Sequence, residues 1–326
     1  MEYSICIRTL GTAGDKYIKL LDSIKNLTIQ PKEVLIVIPH GYKVPSYSIG
    51  IEKIVRSDKG MLLQRIVGYE EASSEYVLLL DDDVEFEPGL IEKLSKPILE
   101  NKADITFPIY PELLPPGGIR STISAFTLGA VPRKEDDYFV KILPSGGYSY
   151  NKNLDKTDKY LYSESAPGMC VFAKTSILKN IKLRNEMWVE IPGYALRDDT
   201  ILVYKAVLQG YKSIGVRNIH INHLDAGSSE SNRSLKAAYA NGFNHVLFWK
   251  RFVKSNSNKF KERAIANLSI FHWAISNFIY LSIKLIVSRD IELFKSSIKG
   301  ILDGFKYISN ENSFKYLNEN GVRING

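Results

Sequence analysis

Short apolar runs alternate with helix-like segments over the first hundred residues of the chain. Residues 3–9, 33–38 and 76–80 are β-prone or continuously apolar, as expected for strands buried on both faces of a sheet. Residues 53–55 are a shorter strand candidate. A helical spacing of apolar residues follows the first run, and residues 60–72 have the pattern of a second helix. This βαβ alternation predicts an α/β domain with a mostly parallel central sheet.

The pattern changes after the first hundred residues. From about residue 103 to 160 the chain is richer in Pro, Gly and Tyr, which predicts strands and loops rather than a second α/β unit. A helix is predicted over 199–209, and Gly210 is placed to end it. The C-terminal hundred or so residues again have helical patterns.

One C-terminal segment, residues 268–287, is long and apolar enough to raise the question of a transmembrane helix. Polar residues recur along it at spacings of three and four: Ser269, His272, Ser276, Tyr280 and Lys284. A narrow polar stripe on an apolar helix favours a helix that lies on a membrane or packs against its own protein. Spanning, surface binding and packing all stay open at this point.

Composition and charge fit a folded protein with an anionic partner. The chain is 44% apolar and 24% charged, and 43 Lys and Arg outnumber 36 Asp and Glu to give a net charge of +7. This balance suits a nucleotide diphosphate, an acidic membrane or a nucleic acid, or it serves solubility alone. Cys6 and Cys170 lie in apolar sequence, which predicts buried thiols in a reducing compartment. The N-terminus lacks the pattern of a secretory signal, so a cytoplasmic location is expected.

Three consecutive aspartates, Asp81, Asp82 and Asp83, follow directly on the apolar run at 76–80. In open α/β sheets, ligands bind just beyond the carboxyl ends of the strands. Carboxylates this close together repel one another unless a cation neutralises them, and such hard oxygen ligands suit Mg²⁺ or Mn²⁺. The pattern predicts a divalent-cation site, with an acidic surface turn as the plainer alternative.

The ordered residues around these aspartates resemble the donor half of family-2 glycosyltransferases, the inverting enzymes of the GT-A fold. The family pattern has a Gly, an Arg five residues on, a Gly three further and a small residue at the helix end, then a buried strand and an Asp-x-Asp. The matching positions here are Gly60, Arg65, Gly68, Ala72, Asp81 and Asp83.

The resemblance continues downstream in the family order. APGMCVFAKTSIL, beginning near Gly168, is similar to the acceptor-side strand, and LRDDTILVYKAVLQGYKSIGV contains the acidic pair Asp198 and Asp199 that opens a helix. INHLDAGSS contains the late histidine, His223, before a Ser-bearing loop, and SSIKGILDGFKYI is similar to a C-terminal helix of bacterial-type members. The resemblance implies a Rossmann-like GT-A domain with a helical C-terminal extension.

The activity implied by the resemblance is transfer of a sugar from a nucleoside-diphosphate donor to a hydroxyl acceptor in glycan or glycolipid assembly. Residues 1–105 would form the donor-binding half, residues 106–225 the acceptor-binding and catalytic half, and residues 226–326 a helical region that is a candidate for membrane association. The implied partners are the nucleotide-sugar, a glycan or lipid-linked acceptor and the inner face of the cell membrane, without a nucleic acid.

The resemblance also implies roles for individual residues. Asp81 and Asp83 would bind the metal, Asp83 more directly, because alternate residues of an extended segment face opposite sides and turn Asp82 elsewhere. His223 would add an imidazole ligand, and His220 competes with it for this role.

The general base that deprotonates the acceptor would be Asp199 in preference to Asp198, and either aspartate can instead cap the helix. The acceptor would lie over the loops of residues 110–165 and near Trp188. Contacts to the nucleotide would come from Arg65, with weaker candidates in Thr9, Asp58, Lys59 and Asp82. The end of the second strand, VLIVIPHGYKV, lacks the carboxylate that contacts the nucleobase in many members, so Asp58 or backbone groups would replace it.

Two other classes of protein share some of these sequence features. A nucleotidyltransferase also uses aspartates and a metal, but its Gly-rich loop is only faintly matched by LGTAGDKY. A non-catalytic basic protein that binds a membrane or a nucleic acid would explain the net positive charge. This class of protein gives no role to Asp81, Asp82 and Asp83, whose carboxylates would repel phosphates.

Overall fold

The computed structural model describes residues 1–114, 117–134, 137–154, 160–224, 233–310 and residue 314. The chain divides into two compact units that are each discontinuous in sequence. Unit 1 consists of Met1–Tyr110, Thr157–Met187 and Asp198–Ser229, and unit 2 of Pro111–Lys156, Trp188–Arg197 and Glu230–Gly326. The division into donor, acceptor and C-terminal parts is one of function and stays a prediction.

Unit 1 is built on a single eight-stranded sheet with the order β10-β12-β6-β11-β4-β1-β2-β3. Its strands are β1 (Tyr3–Arg8), β2 (Glu33–Pro39), β3 (Glu52–Ser57), β4 (Tyr76–Asp81), β6 (Ile105–Pro108), β10 (Tyr160–Tyr162), β11 (Cys170–Lys174) and β12 (Ser213–Val216). Only β10 and β11 run antiparallel to their neighbours. The predicted mixed α/β fold with a mostly parallel sheet is confirmed.

The described residues of unit 1 form the helices α1 (Asp15–Lys25), α2 (Met61–Glu71), α3 (Leu90–Leu99), α5 (Thr175–Asn180) and α6 (Asp198–Leu208). The central strands are mostly apolar because both of their faces are covered, and Ile5, Ile36 and Leu78 are fully buried. Helix α2 packs closely at Gly68, where an added Cβ would lie 3.0 Å from Cys6 Cβ and 3.2 Å from Val37 Cγ2. Both cysteines are buried free thiols.

A short antiparallel ribbon completes unit 1. It pairs β5 (Val84–Phe86) with β13 (Ile221–His223), in a register that sets His223 opposite Val84. The amide of Leu224 donates to the backbone carbonyl of Asp83 at 2.7 Å. The ribbon therefore places His223 beside the residues that follow β4. The Ser-bearing loop predicted after His223 lies largely outside the described residues.

Unit 2 combines a small sheet with helices. The sheet has the order β7-β9-β8, with β7 (Ala130–Arg133), β8 (Val140–Ile142) and β9 (Tyr148–Asn151). The helices are α4 (Ile119–Phe126), α7 (Arg233–Phe248), α8 (Phe260–Ser288) and α9 (Ile291–Ile308), with a π-helical turn at Trp249–Lys254. A 3₁₀ turn lies at Pro111–Leu113.

Helix α4 is a correction to the sequence analysis, which predicted only strands and loops between residues 103 and 160. The helix is short, and its sequence IRSTISAF contains three Ser and Thr residues, which favour a helix less than the long straight-chain residues do. Its helical signal is therefore weak beside the surrounding Gly and Pro. Trp188 is fully buried against Phe252. The position of an acceptor near it stays a prediction.

Helix α8 packs on unit 2 through one face. Ala266, Ile270, Trp273 and Ser276 are buried there, and the indole of Trp249 donates to the backbone carbonyl of Ala266 at 3.2 Å. His245 is buried beneath this helix and stacks on Trp273 with ring centroids 3.7 Å apart. Burial and the charge of Arg197 hold the pKa of His245 well below its usual range, so the ring is neutral in the core.

The opposite face of α8 is exposed and apolar. Its exposed members include Leu268, Phe271, Ile275, Phe278, Ile279, Ile283 and Ile286. Among the described residues, α8 is the one helix that is long and apolar enough to cross a membrane. The predicted polar stripe runs partly into the packed side, since Ser276 is buried and donates to the carbonyl of His272 at 2.7 Å.

Candidate active site

Neighbouring strands bring the first charged pair together. Strands β1 and β4 are parallel partners, and their register sets Arg8 opposite Asp81 at the carboxyl ends of both strands. Paired residues of adjacent strands project on the same face of a sheet. Arg8 Nε donates to Asp81 Oδ1 at 2.6 Å and Arg8 Nη2 to Asp81 Oδ2 at 3.2 Å, which makes a two-pronged ion pair. One residue further along, the Thr9 hydroxyl donates to Asp82.

Helices α2 and α6 add a second guanidinium and a second carboxylate. Asp198, the first residue of α6, accepts from Arg8 Nη1 at 2.6 Å and lies 3.2 Å from Arg65 Nη1. Arg65 Nη2 donates to the carbonyl of Gly168 at 2.8 Å and lies 3.5 Å from Asp81 Oδ1. The side chains of Arg65 and Asp198 are 3% and 7% exposed. These four residues, Arg8, Arg65, Asp81 and Asp198, are called the charge cluster below.

Asp199 lies next to the charge cluster and is held by backbone donors. Its Oδ2 accepts from the amide of Gly168 at 3.1 Å, and its Oδ1 accepts from the amide of Thr200 at 2.6 Å. An added Cβ at Gly168 would lie 2.9 Å from Asp199 Cβ and 3.2 Å from Arg65 Nη2. Glycine is therefore required here for the close approach of both side chains.

The two adjacent aspartates titrate differently because their surroundings differ. Burial would raise the pKa of Asp198, but the charges of Arg65 and Arg8 outweigh it and hold that pKa below its usual range. Burial, followed by the charge of Asp198, raises the pKa of Asp199 to about 6. A pair of carboxyl groups with pKa values pushed apart is typical of sites that carry out acid–base chemistry.

A set of metal-type ligands lies at the end of β4. Asp81, Asp83 and His223 each offer one ligand atom, and these atoms lie within 4.8 Å of one another. His223 Nε2 is 3.3 Å from Asp83 Oδ1. Two carboxylate oxygens and an imidazole nitrogen suit Mn²⁺ and also Mg²⁺, so the residues present fit the predicted cation.

The structure distinguishes the two candidate histidines. His220 is exposed, and its amide donates to Glu87 at 2.8 Å, whereas His223 lies with the aspartates. Asp82 is turned to Thr9, in line with the expected alternation. Burial, followed by the charges of Asp83 and Asp81, raises the pKa of Asp82 to about 6 against the lowering effect of the Thr9 hydrogen bond.

The remaining candidates for nucleotide contacts lie at the ends of strands. Thr9 is buried after β1 and binds both Asp82 and the amide of Gly11. Asp58 and Lys59 are exposed in the loop between β3 and α2, where Lys59 Nζ lies 5.6 Å from the centroid of the Tyr42 ring. Their roles toward a nucleotide stay predictions.

Arg8 is the residue of the site that the sequence analysis missed. The available signal was a charged residue at the last position of an otherwise apolar strand, SICIR, directly before Thr9. A charge at such a position is buried among neighbouring strand ends and needs a partner of opposite sign. Only the pairing of β1 with β4 identifies that partner as Asp81.

Part of the chain is similar to known glycosyltransferases. Residues 41–172 match the model of the family described as glycosyl transferase family 2. The chain is also similar to the protein described as "Uncharacterized glycosyltransferase YwdF" of Bacillus subtilis (strain 168), with 36% identity over 87 residues. This match covers 24% of the chain and 32% of YwdF, so the chain spans about a third of the length of that relative.

Residues 41–172 are therefore similar to family-2 glycosyltransferases, a family of enzymes. Its mixed α/β architecture with a large, mostly parallel sheet and C-terminal helices is consistent with the GT-A fold that the sequence predicted.

Removal of Asp198 is expected to destabilise the protein strongly. In Asp198→Ala, Arg65 loses its nearest carboxylate while it stays buried, and breaking a buried ion pair in this way costs about 3–5 kcal/mol. Urea denaturation followed by circular dichroism measures the change in unfolding free energy. The matched control is Glu2→Ala, which removes the exposed Glu2–Lys32 pair and should cost below about 1 kcal/mol. Equal, small effects of both substitutions would contradict a structural role for the charge cluster.

Proposed function

We propose that the protein is a metal-dependent, inverting glycosyltransferase that moves a sugar from a nucleoside-diphosphate donor to a hydroxyl acceptor. The observation that carries the proposal is the placement of Asp81, Asp83 and His223, together with the Asp198–Asp199 pair, on strand and helix ends of a family-2 domain. The family match favours this reaction over nucleotidyl transfer. The sugar, the nucleobase and the acceptor are left open.

The donor side of the proposal rests on the carboxylate and imidazole ligands. A divalent cation bound there supplies positive charge to stabilise the departing diphosphate. Asp83 and His223 are the stronger ligand candidates, because Asp81 already shares both of its oxygens with Arg8. Arg65 is 3% exposed and its donors face Gly168 and the carboxylates, so we propose that it acts on the donor site through these groups.

The acceptor side rests on Asp199. With a pKa of about 6, its carboxylate is mostly ionised at neutral pH and can accept the proton of an attacking hydroxyl. The amides of Gly168 and Thr200 fix its orientation. A base of this kind suits a single displacement, in which the acceptor oxygen bonds to the anomeric carbon as the diphosphate leaves and the configuration inverts. A cation held by Asp83 and His223 would stabilise the charge of the departing diphosphate.

Unit 2 supports a further part of the proposal, binding to the inner face of the cell membrane. The exposed face of α8 presents large apolar side chains at spacings of three and four, and Phe126 of α4, itself 50% exposed, contacts its His272. These exposed side chains are called the apolar face of α8 with Phe126 below, and contiguous exposed apolar side chains typically mark a surface that binds a protein or a membrane.

The distribution of charge favours an anionic bilayer as the partner of this surface. Residues 250–309 contain 11 Lys and Arg and four Asp and Glu, so their net charge of +7 equals that of the whole chain. Lys261 and Arg263 precede the uncharged stretch 264–283, and Lys284 and Arg289 follow it. Basic residues beside an apolar helix face attract anionic headgroups, whereas pairing two copies through this face would bring like charges together. The buried opposite face favours lying on the membrane over crossing it.

Nucleotide binding tests the donor site. Calorimetry with UDP, GDP and dTDP should show tighter binding of one nucleotide with Mn²⁺ than with EDTA. Asp83→Asn should weaken that metal-dependent binding about 10-fold or more, because a ligand is lost. Glu85→Gln is the control, since this carboxylate lies on the same ribbon outside the ligand set and should leave binding unchanged. Absence of binding by the wild type with any metal would overturn the proposed function.

The pH dependence of the reaction tests Asp199. A base works when deprotonated, and its raised pKa means that kcat/KM should fall as the pH drops below about 6 and level off above it. Asp199→Asn should lower kcat by about 10²- to 10⁴-fold and remove this acid limb from the residual activity. Asp104→Asn, which alters a carboxylate bound to the amide of Lys212, should leave the profile unchanged. An acid limb that persists in Asp199→Asn would belong to another group and contradict the assignment.

Vesicle flotation tests the membrane surface. The protein should float with vesicles of phosphatidylcholine and phosphatidylglycerol and much less with phosphatidylcholine alone. The variant with Ile275→Glu and Ile279→Glu should lose binding by about 10-fold or more, because each buried Ile contributes about 1.5–3 kcal/mol. Leu99→Glu, on α3 of unit 1, is the control for an exposed apolar residue elsewhere. Dimerisation without vesicles, or resistance to alkaline extraction, would contradict peripheral binding and indicate a second copy or a spanning helix.

A further inference from the structure

Arg8 contacts three different elements of unit 1 through one guanidinium. It holds both oxygens of Asp81 at the end of β4, and its Nη1 donates to Asp198 Oδ2 at the start of α6. The same Nη1 lies 3.1 Å from the carbonyl of Met61, the first residue of α2. The side chain is only 13% exposed, so these contacts are shielded from water.

The geometry of the guanidinium makes these contacts specific to arginine. Its donors lie in one rigid plane, so that a carboxylate can be bound along one edge while another edge reaches a second acceptor. The distances of 2.6 Å to both Asp81 and Asp198 are those of strong charge-assisted hydrogen bonds. Arg65 contacts the same two carboxylates at 3.5 and 3.2 Å and directs Nη2 to Gly168. Arg8 is therefore the closer link between Asp81 and Asp198.

Asp81 and Asp198 lie beside groups that have different roles in the proposed function, which are metal binding near Asp81 and proton abstraction near Asp198. Asp81 belongs to the ligand set with Asp83 and His223, and Asp198 precedes Asp199 on α6. A shift of the α6 start relative to the end of β4 would move Asp199 relative to the ligand set. Reacting groups must be held closely, since a displacement of about 1 Å can cost about 100-fold in rate.

We infer that Arg8 is a positioning residue that fixes the base-bearing start of α6 against the donor-side carboxylates by binding Asp81 and Asp198 simultaneously. The inference rests on the proposed function. Arg8 acts through these two carboxylates and has no role as a proton donor or acceptor. A lysine at this position keeps the charge and loses the planar fork, so it cannot bind both oxygens of Asp81 along one edge while another edge reaches Asp198.

The experiment compares Arg8→Lys, Arg8→Gln and wild type by steady-state kinetics and by nucleotide binding. Arg8→Lys should lower kcat about 10- to 100-fold while the donor KM and the nucleotide Kd stay within about threefold, because Asp83 and His223 contact each other without Arg8. Arg8→Gln should lose at least as much kcat. The control is Arg56→Lys, since Arg56 donates to the carbonyls of Pro39 and Tyr42 outside the charge cluster and should leave both constants unchanged.

Two results would overturn the inference. In one, Arg8→Lys keeps kcat within about threefold of wild type, which would mean that charge alone suffices. In the other, the donor KM rises while kcat is unchanged, which would place Arg8 in donor binding. A wild type that neither binds a nucleotide nor transfers a sugar would instead contradict the proposed function itself, so the two failures are distinguishable.

Discussion

The charge cluster of Arg8, Arg65, Asp81 and Asp198 is the interaction on which the arrangement of the candidate site depends. Burying a charged group costs free energy because the group loses its contacts with water. In unit 1 this cost is offset because each of the two guanidiniums lies against carboxylates. The four side chains come from β1, α2, β4 and α6. Their pairing therefore fixes strand ends and helix starts at once, and the groups proposed for chemistry are held in place before a substrate arrives.

The contrast between Asp198 and Asp199 follows from this cluster. Both residues are aspartates at the start of the same helix, yet one faces two guanidiniums and the other faces backbone amides beside a charged neighbour. Opposite shifts of the pKa result from position alone. Arg8 and Arg65 keep Asp198 ionised, and the negative charge of Asp198 helps to raise the pKa of Asp199. The ion pairs of the charge cluster therefore influence the proposed base.

Helix α8 has one side buried in the core of unit 2 and the other side exposed to solvent. Its buried side packs Trp273 against His245 and Ile270 in the core of unit 2, and its other side leaves large apolar residues in contact with solvent. The cationic residues of this region account for the net charge of the chain. The net charge of the whole sequence therefore does not show where the charge lies. The excess of Lys and Arg is in residues 250–309, the same part of the chain as the apolar face of α8.

The sequence by itself determined the α/β class, the buried strands and the three aspartates at the end of β4, because hydrophobic periodicity and strand ends are local properties. It also predicted Arg65, Asp199 and His223 as members of one site through their family resemblance. Only the tertiary structure decided that Arg8 pairs with Asp81, that His223 rather than His220 lies beside Asp83, and that Trp188 is buried. Each of these depends on strand register or on packing between segments distant in sequence, which local patterns do not contain.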